Sequence, residues 1–204
     1  MIFDFLPALI TFAFVSSITP GPNNLMLMAS GANYGFRRSL PHMAGISLGH
    51  GFMVFLLGLG LLQLFDTFPK LKLILTVICT LYLLYLAYKI ATASAPGKVK
   101  QGGKPLTFLQ AAAFQWVNPK AIYMAITAQT AYAPNATEAI PLWLASLMVA
   151  IAFTCTNLPS VSTWAWAGTQ IRRWLQSPAR LGAFNYTMAT LLVLTLVPVI
   201  KGLL

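Results

Sequence analysis

The sequence predicts an all-α integral membrane protein of six transmembrane helices, arranged as two inverted three-helix repeats with helices 1 and 4 broken. Three observations predict it. First, 58% of the 204 residues are hydrophobic and only 8% are charged, against ~25% charged in a soluble domain. Second, the stretches 5–36, 39–65, 73–88, 139–171 and 181–200 carry no charge, and 105–137 carries only Lys120. Third, proline interruptions fall at matching places in the two halves.

A helix crosses the ~30 Å hydrocarbon core in ~20 residues. The uncharged stretches therefore give spans at 5–30, 40–64, 69–91, 106–131, 139–166 and 181–202. The runs show no period-two alternation, which excludes a barrel. The first run lacks a basic n-region, carries Asp4, and reads as a retained helix rather than a cleaved signal.

The formal net charge is +10. Its cations sit in short clusters between apolar runs, which excludes nucleic acid as a partner and sets orientation instead. Arg37 and Arg38 follow span 1. Lys98, Lys100 and Lys104 follow span 3. Arg172, Arg173 and Arg180 follow span 5. These loops are expected to be cytoplasmic, with both termini outside. The chain reads as one membrane domain over 1–204, with repeats at 1–92 and 106–204 and a cytoplasmic linker at 93–105.

Three helices per half make the second half enter from the opposite face, the arrangement of many secondary transporters. Its expected marker is present. Span 1 carries Thr19-Pro20-Gly21-Pro22-Asn23-Asn24, and span 4 carries Asn118-Pro119-Lys120. Each proline removes an amide donor and clashes with the carbonyl four residues back, and Gly21 adds backbone freedom. An unwound stretch follows, then a new helix near Asn23 or Asn24 whose amides suit a carboxylate. Lys120 costs ~2.5–3.5 kcal/mol at mid-membrane. A substrate carboxylate or helix C-terminal carbonyls could answer it, or its stem could snorkel.

Asn157-Leu158-Pro159-Ser160 reads as a third break, lining a cavity or joining helices. His50 is either a proton carrier or a satisfied interior histidine. The Gly45/Gly49 pair reads as close helix packing. Cys79 and Cys155 read as two buried core thiols, and the tryptophans mostly as interfacial anchors. No phosphate-binding loop, G-x-S-x-G elbow or metal-ligand spacing occurs. Thus no catalytic residue, metal or cofactor is expected, and the chain is not an enzyme.

The motifs carry a resemblance. Thr19 to Asn24, Gly35-Phe36-Arg37 and the Gly45–Gly51 segment resemble the LysE/RhtB family of amino-acid exporters. Phe114-Gln115-Trp116-Val117-Asn118-Pro119-Lys120 is similar to that family's fourth-span motif. Asn157 to Ser160 with Trp164-Ala165-Trp166-Ala167-Gly168 is similar to its fifth. The Phe-Gln-x-Val-Asn wording is similar to the cysteine/O-acetylserine exporter branch.

The resemblance implies export of amino acids or close derivatives across the bacterial inner membrane, driven by the proton-motive force. Some members carry an acid in the fifth span; here Asn157 stands among hydroxyls, which leaves His50 as the titratable candidate. Pro20, Gly21, Pro22, Asn23, Asn24, Asn118, Pro119, Lys120, Asn157 and Ser160 are the expected substrate-binding residues. The expected partners are a small zwitterionic amino acid, membrane lipid and, as an option, a second copy in a homodimer. A membrane thiol-relay oxidoreductase needing a cysteine pair, and a metal-ion exporter, are the alternatives.

Overall fold

Proline begins most of the helices. In the computed structural model, which describes residues 5–61, 67–93, 104–137 and 140–201, every regular element of those residues is helical. α1 spans Leu6–Ile18, α2 Pro22–Tyr34 and α3 Phe36–Leu56, the last running into a π-helical turn at Leu57–Leu61. α4 spans Pro69–Ala91, α5 Phe108–Gln115, α6 Pro119–Ala131, α7 Leu142–Ile171, α8 Pro178–Leu194 and α9 Val197–Lys201. α1, α2, α4, α6 and α8 have proline in their first turn, where its missing amide needs no partner. Thr107 opens α5 through a capping box with Gln110. Gly35, at φ 87°, turns α2 into α3, a conformation that favours glycine.

Among the described residues, three helices are apolar and long enough to cross a membrane: Phe36–Leu61, Leu73–Ala91 and Leu142–Ile171, of 26, 19 and 30 residues. The stretches 5–30 and 106–131 are instead each two helices joined at a break, α1–α2 and α5–α6. The third expected break does not form. α7 runs through Pro159 without interruption. Its hydroxyls turn back onto their own helix, Thr156 onto Ala152 O at 2.8 Å and Ser160 onto Thr156 O at 2.7 Å. Most of the 93–105 linker, and Asp4, Asp66 and Glu138, lie outside the described residues.

α7 is the packing centre and touches α1, α2, α3 and α6. One apolar core lies among α1, α3, α6 and α7 around Leu9, Met53, Ala125 and Phe153. A second lies among α2, α4, α5 and α8 around Met26, Leu83, Phe114 and Leu192. The outside is greasier than a soluble surface: α4 alone exposes Leu73, Ile74, Val77, Ile78, Leu81 and Leu84, as a lipid-facing helix does.

Lipid offers no hydrophobic drive for helix association, so close backbone contact matters more. Gly45 and Gly49 supply it. A Cβ on Gly49 would stand 2.5 Å from Ala112 Cα, and one on Gly45 would strike Phe108 O. α3 therefore lies directly on α5, as the G-x-x-x-G spacing predicts. The cysteine expectation is half met: both are free and Cys79 is buried, but Cys155 is exposed on α7.

Candidate functional site

α1 stops at Ile18, and Thr19 is extended at φ −64°, ψ 148°. The last carbonyls of a helix have no partner within it, and lipid supplies none. Here four side chains close them, the nearest being Thr19, whose Oγ1 donates to Ser16 O at 2.9 Å. Asn24 Nδ2 donates to Ser17 O and Thr19 O, both at 2.8 Å. Trp164 Nε1 on α7 donates to Ile18 O at 2.9 Å. Lys120 Nζ on α6 donates to Thr19 O at 2.8 Å, Thr19 Oγ1 at 2.9 Å and Pro20 O at 3.3 Å.

The lysine thus sits at the negative end of a helix dipole, which selects the carbonyl partner from the options open in sequence. Among the described residues no carboxylate faces it. Trp164 is one of the tryptophans that are not interfacial anchors; it bonds to the break.

The second break mirrors the first. α5 ends at Gln115, and Asn118 Oδ1 caps α6 by accepting from Lys120 N at 3.2 Å. The two breaks face each other. Asn23 Nδ2 donates to Gln115 Oε1 at 2.8 Å, and Gln115 Nε2 donates back to Asn23 Oδ1 at 3.2 Å. No side chain caps α2.

Gly21 is extended at φ −176°, a conformation any residue adopts, so its value is space rather than freedom. Lys120 lies across it: a Cβ there would stand 2.7 Å from Lys120 Cδ.

Between the breaks is a polar cavity lined by Ser16, Ser17, Gly21, Asn23, Asn24, His50, Gln115, Asn118, Lys120 and Asn157, with Ala121, Met124 and Val161. Its volume of about 20 Å³ is room for about one water. Asn157 ties three helices there: Ser47 Oγ of α3 donates to Asn157 Oδ1 at 3.2 Å, and Asn157 Nδ2 donates to Ser17 Oγ of α1 at 3.3 Å. His50 Nε2 lies 3.2 Å from Ala121 O, while its Nδ1 has no partner among the described residues.

A second, apolar cavity of about 810 Å³ lies on the other side of the breaks. Pro20, Pro22, Pro119, Leu25, Tyr123, Trp164 and Leu191 are among its walls. Gly21 and Lys120 line both cavities, so the lysine stem over Gly21 is the partition between them.

Seven of the residues expected from sequence meet in the polar cavity: Gly21, Asn23, Asn24, Asn118, Lys120, Asn157 and His50. Pro20, Pro22 and Pro119 face the apolar one, and Ser160 lines neither. Sequence reasoning missed Ser17, Ser47, Gln115 and Trp164 as site residues. It also missed His42, buried on α3 with neither ring nitrogen partnered among the described residues, so His50 is not the single titratable candidate. A signal for Gln115 existed: it stands four residues before Pro119, as Ser16 stands four before Pro20.

Apolar helices around a polar cavity, opened by two facing helix breaks, define a membrane translocator rather than an enzyme. The chain belongs to the LysE type translocator family, whose model matches residues 14–198. It is 34% identical over 193 residues to a cysteine/O-acetylserine efflux protein of Salmonella paratyphi A, covering 92% of this chain and 93% of that one. It is 33% identical over 193 residues to the protein of that name in Escherichia coli K12, and 32% over 190 residues to the one in Klebsiella pneumoniae, with the same coverages. No solved structure is a significant match.

Proposed function

We propose that the protein exports small zwitterionic amino acids, cysteine and O-acetylserine among them, across the bacterial inner membrane at the expense of the proton-motive force. The observation that carries this reading is the Lys120 ammonium at the wall of the polar cavity, held among the described residues by the neutral oxygens of Thr19 and Pro20. A carboxylate is a stronger partner for an ammonium than a carbonyl. An incoming amino acid draws Lys120 from Thr19 and Pro20, takes the uncapped α2 amides and opens the partition over Gly21. Asn23, Asn118, Asn157 and Gln115 then serve its remaining polar atoms.

The cavity at about 20 Å³ is the closed form in this reading; the solute's carboxylate is the key to the open one. Six crossings in two inverted repeats, rocking about this midplane site with both termini outside, supply alternating access. His50, beside the cavity with a free ring nitrogen, is the proton carrier. A homodimer is compatible with this scheme and is not required by it.

Uptake of labelled amino acids into inverted membrane vesicles tests the reading. Cysteine and O-acetylserine are expected to accumulate, more so with an imposed pH gradient. Vesicles that take up neither, with the protein inserted and folded, would overturn it.

A further inference from the structure

Among the described residues, most cations gather at one end, where α2, α4 and α7 finish and α3, α5 and α8 begin: Arg37, Arg38, Lys89, Lys104, Arg172, Arg173 and Arg180. Asn33 and Asn185 exchange side-chain hydrogen bonds there at 2.9 and 3.3 Å, and Asn185 Nδ2 also donates to Ala93 O at 3.0 Å. This knot fixes α2, α8 and the end of α4 to one another. Beside it a cavity of about 70 Å³ opens between α2, α4 and the residues leading into α5.

The cavity is amphiphilic. Its inner wall is apolar, with Met26, Leu86 and Ile90, and its rim carries Lys89, Lys104 and Tyr34. Both lysines are exposed. Lys89 Nζ stands 5.7 Å from the Tyr85 ring, and next to the rim the Arg38 guanidinium stands 5.8 Å from the Tyr34 ring. Among the described residues no carboxylate answers these charges. Lys89 lies in the last turn of the apolar helix α4, at the level where hydrocarbon gives way to head groups. A cationic rim over an apolar recess at that depth matches an anionic head group on an acyl chain.

We propose that this cavity binds one anionic phospholipid, its phosphate between Lys89 and Lys104 and its first methylenes against Met26, Leu86 and Ile90. The site is separate from the cavity between the breaks, and it does not depend on what the protein exports.

The test uses the full chain in nanodiscs of phosphatidylcholine, alone or with phosphatidylglycerol. Thermal unfolding and native mass spectrometry are the readouts. Phosphatidylglycerol is expected to raise the unfolding temperature of the wild type and to remain bound as one molecule. At about 1 kcal/mol per lysine near a membrane surface, Lys89→Gln or Lys104→Gln is expected to weaken retention about fivefold, and the pair about thirtyfold. Lys70→Gln, at the start of α4, is expected to change nothing. An unchanged phosphatidylglycerol response in the double variant overturns the site. Inorganic phosphate reproducing the shift in phosphatidylcholine discs overturns the lipid as its occupant.

Discussion

Gly21→Ala isolates the contact between the two breaks. The new Cβ would stand 2.7 Å from Lys120 Cδ, 3.1 Å from Nζ and 3.4 Å from Cε. The backbone at φ −176° accepts alanine, so the lysine stem must move. Its ammonium then leaves Thr19 O and Thr19 Oγ1, now at 2.8 and 2.9 Å. Hydrogen bonds to charged groups contribute ~1.5–3 kcal/mol each. Lys120 is only half-buried, so the lower figure applies and the two together come to about 3 kcal/mol by that measure. A solute carboxylate then no longer has to displace those bonds, so Gly21→Ala is expected to bind O-acetylserine about ten- to a hundredfold tighter in equilibrium binding, since each ~1.4 kcal/mol is tenfold. The Gly21→Ala/Lys120→Ala double variant is expected to be no worse than Lys120→Ala, because both remove one contact. Wild-type affinity in Gly21→Ala, or a Gly21→Ala effect that persists in the Lys120→Ala background, would refute the reasoning.

Other outcomes follow from the same geometry. Asn23→Leu and Gln115→Leu each strand the partner amide and are expected to lower stability by ~1–3 kcal/mol, with the double variant less than additive in detergent melting curves. His50→Gln is expected to keep solute binding but to lose the stimulation of uptake by a pH gradient; a gradient response equal to wild type removes His50 as the carrier. The Cys79→Ser/Cys155→Ser variant is expected to export normally, as two free thiols on separate helices require; loss of activity with intact folding would revive a thiol relay.

The breaks were legible because proline acts locally. Pro20, Pro22 and Pro119 each remove an amide donor and crowd the preceding turn, Pro22 and Pro119 suit the first turn of a new helix, and Asn118 is a helix cap by its own chemistry. The partners were not legible, because they are tertiary. Lys120 meets Thr19 across 101 residues of chain, and Asn23 meets Gln115 across 92. Nothing local chooses between a carbonyl, a solute and an interface for that lysine.

Gly21 was assigned to backbone freedom when its role is to leave room for a side chain from another helix. Pro159 misled in the opposite direction. It lies on the exposed side of α7, where neighbouring hydroxyls already bond to helix carbonyls. Nothing in the sequence singles out Trp164 from the other tryptophans, because its bond to Ile18 O depends on where α7 crosses α1.

Equilibrium binding of O-acetylserine and of its methyl ester, to the purified wild type and to Lys120→Gln, measures the central claim. The wild type is expected to favour the free carboxylate by about tenfold or more, a gap of at least ~1.4 kcal/mol, and Lys120→Gln to lose most of that preference. A glutamine variant that prefers the carboxylate as strongly as the wild type does, or a wild type indifferent to it, would contradict the account.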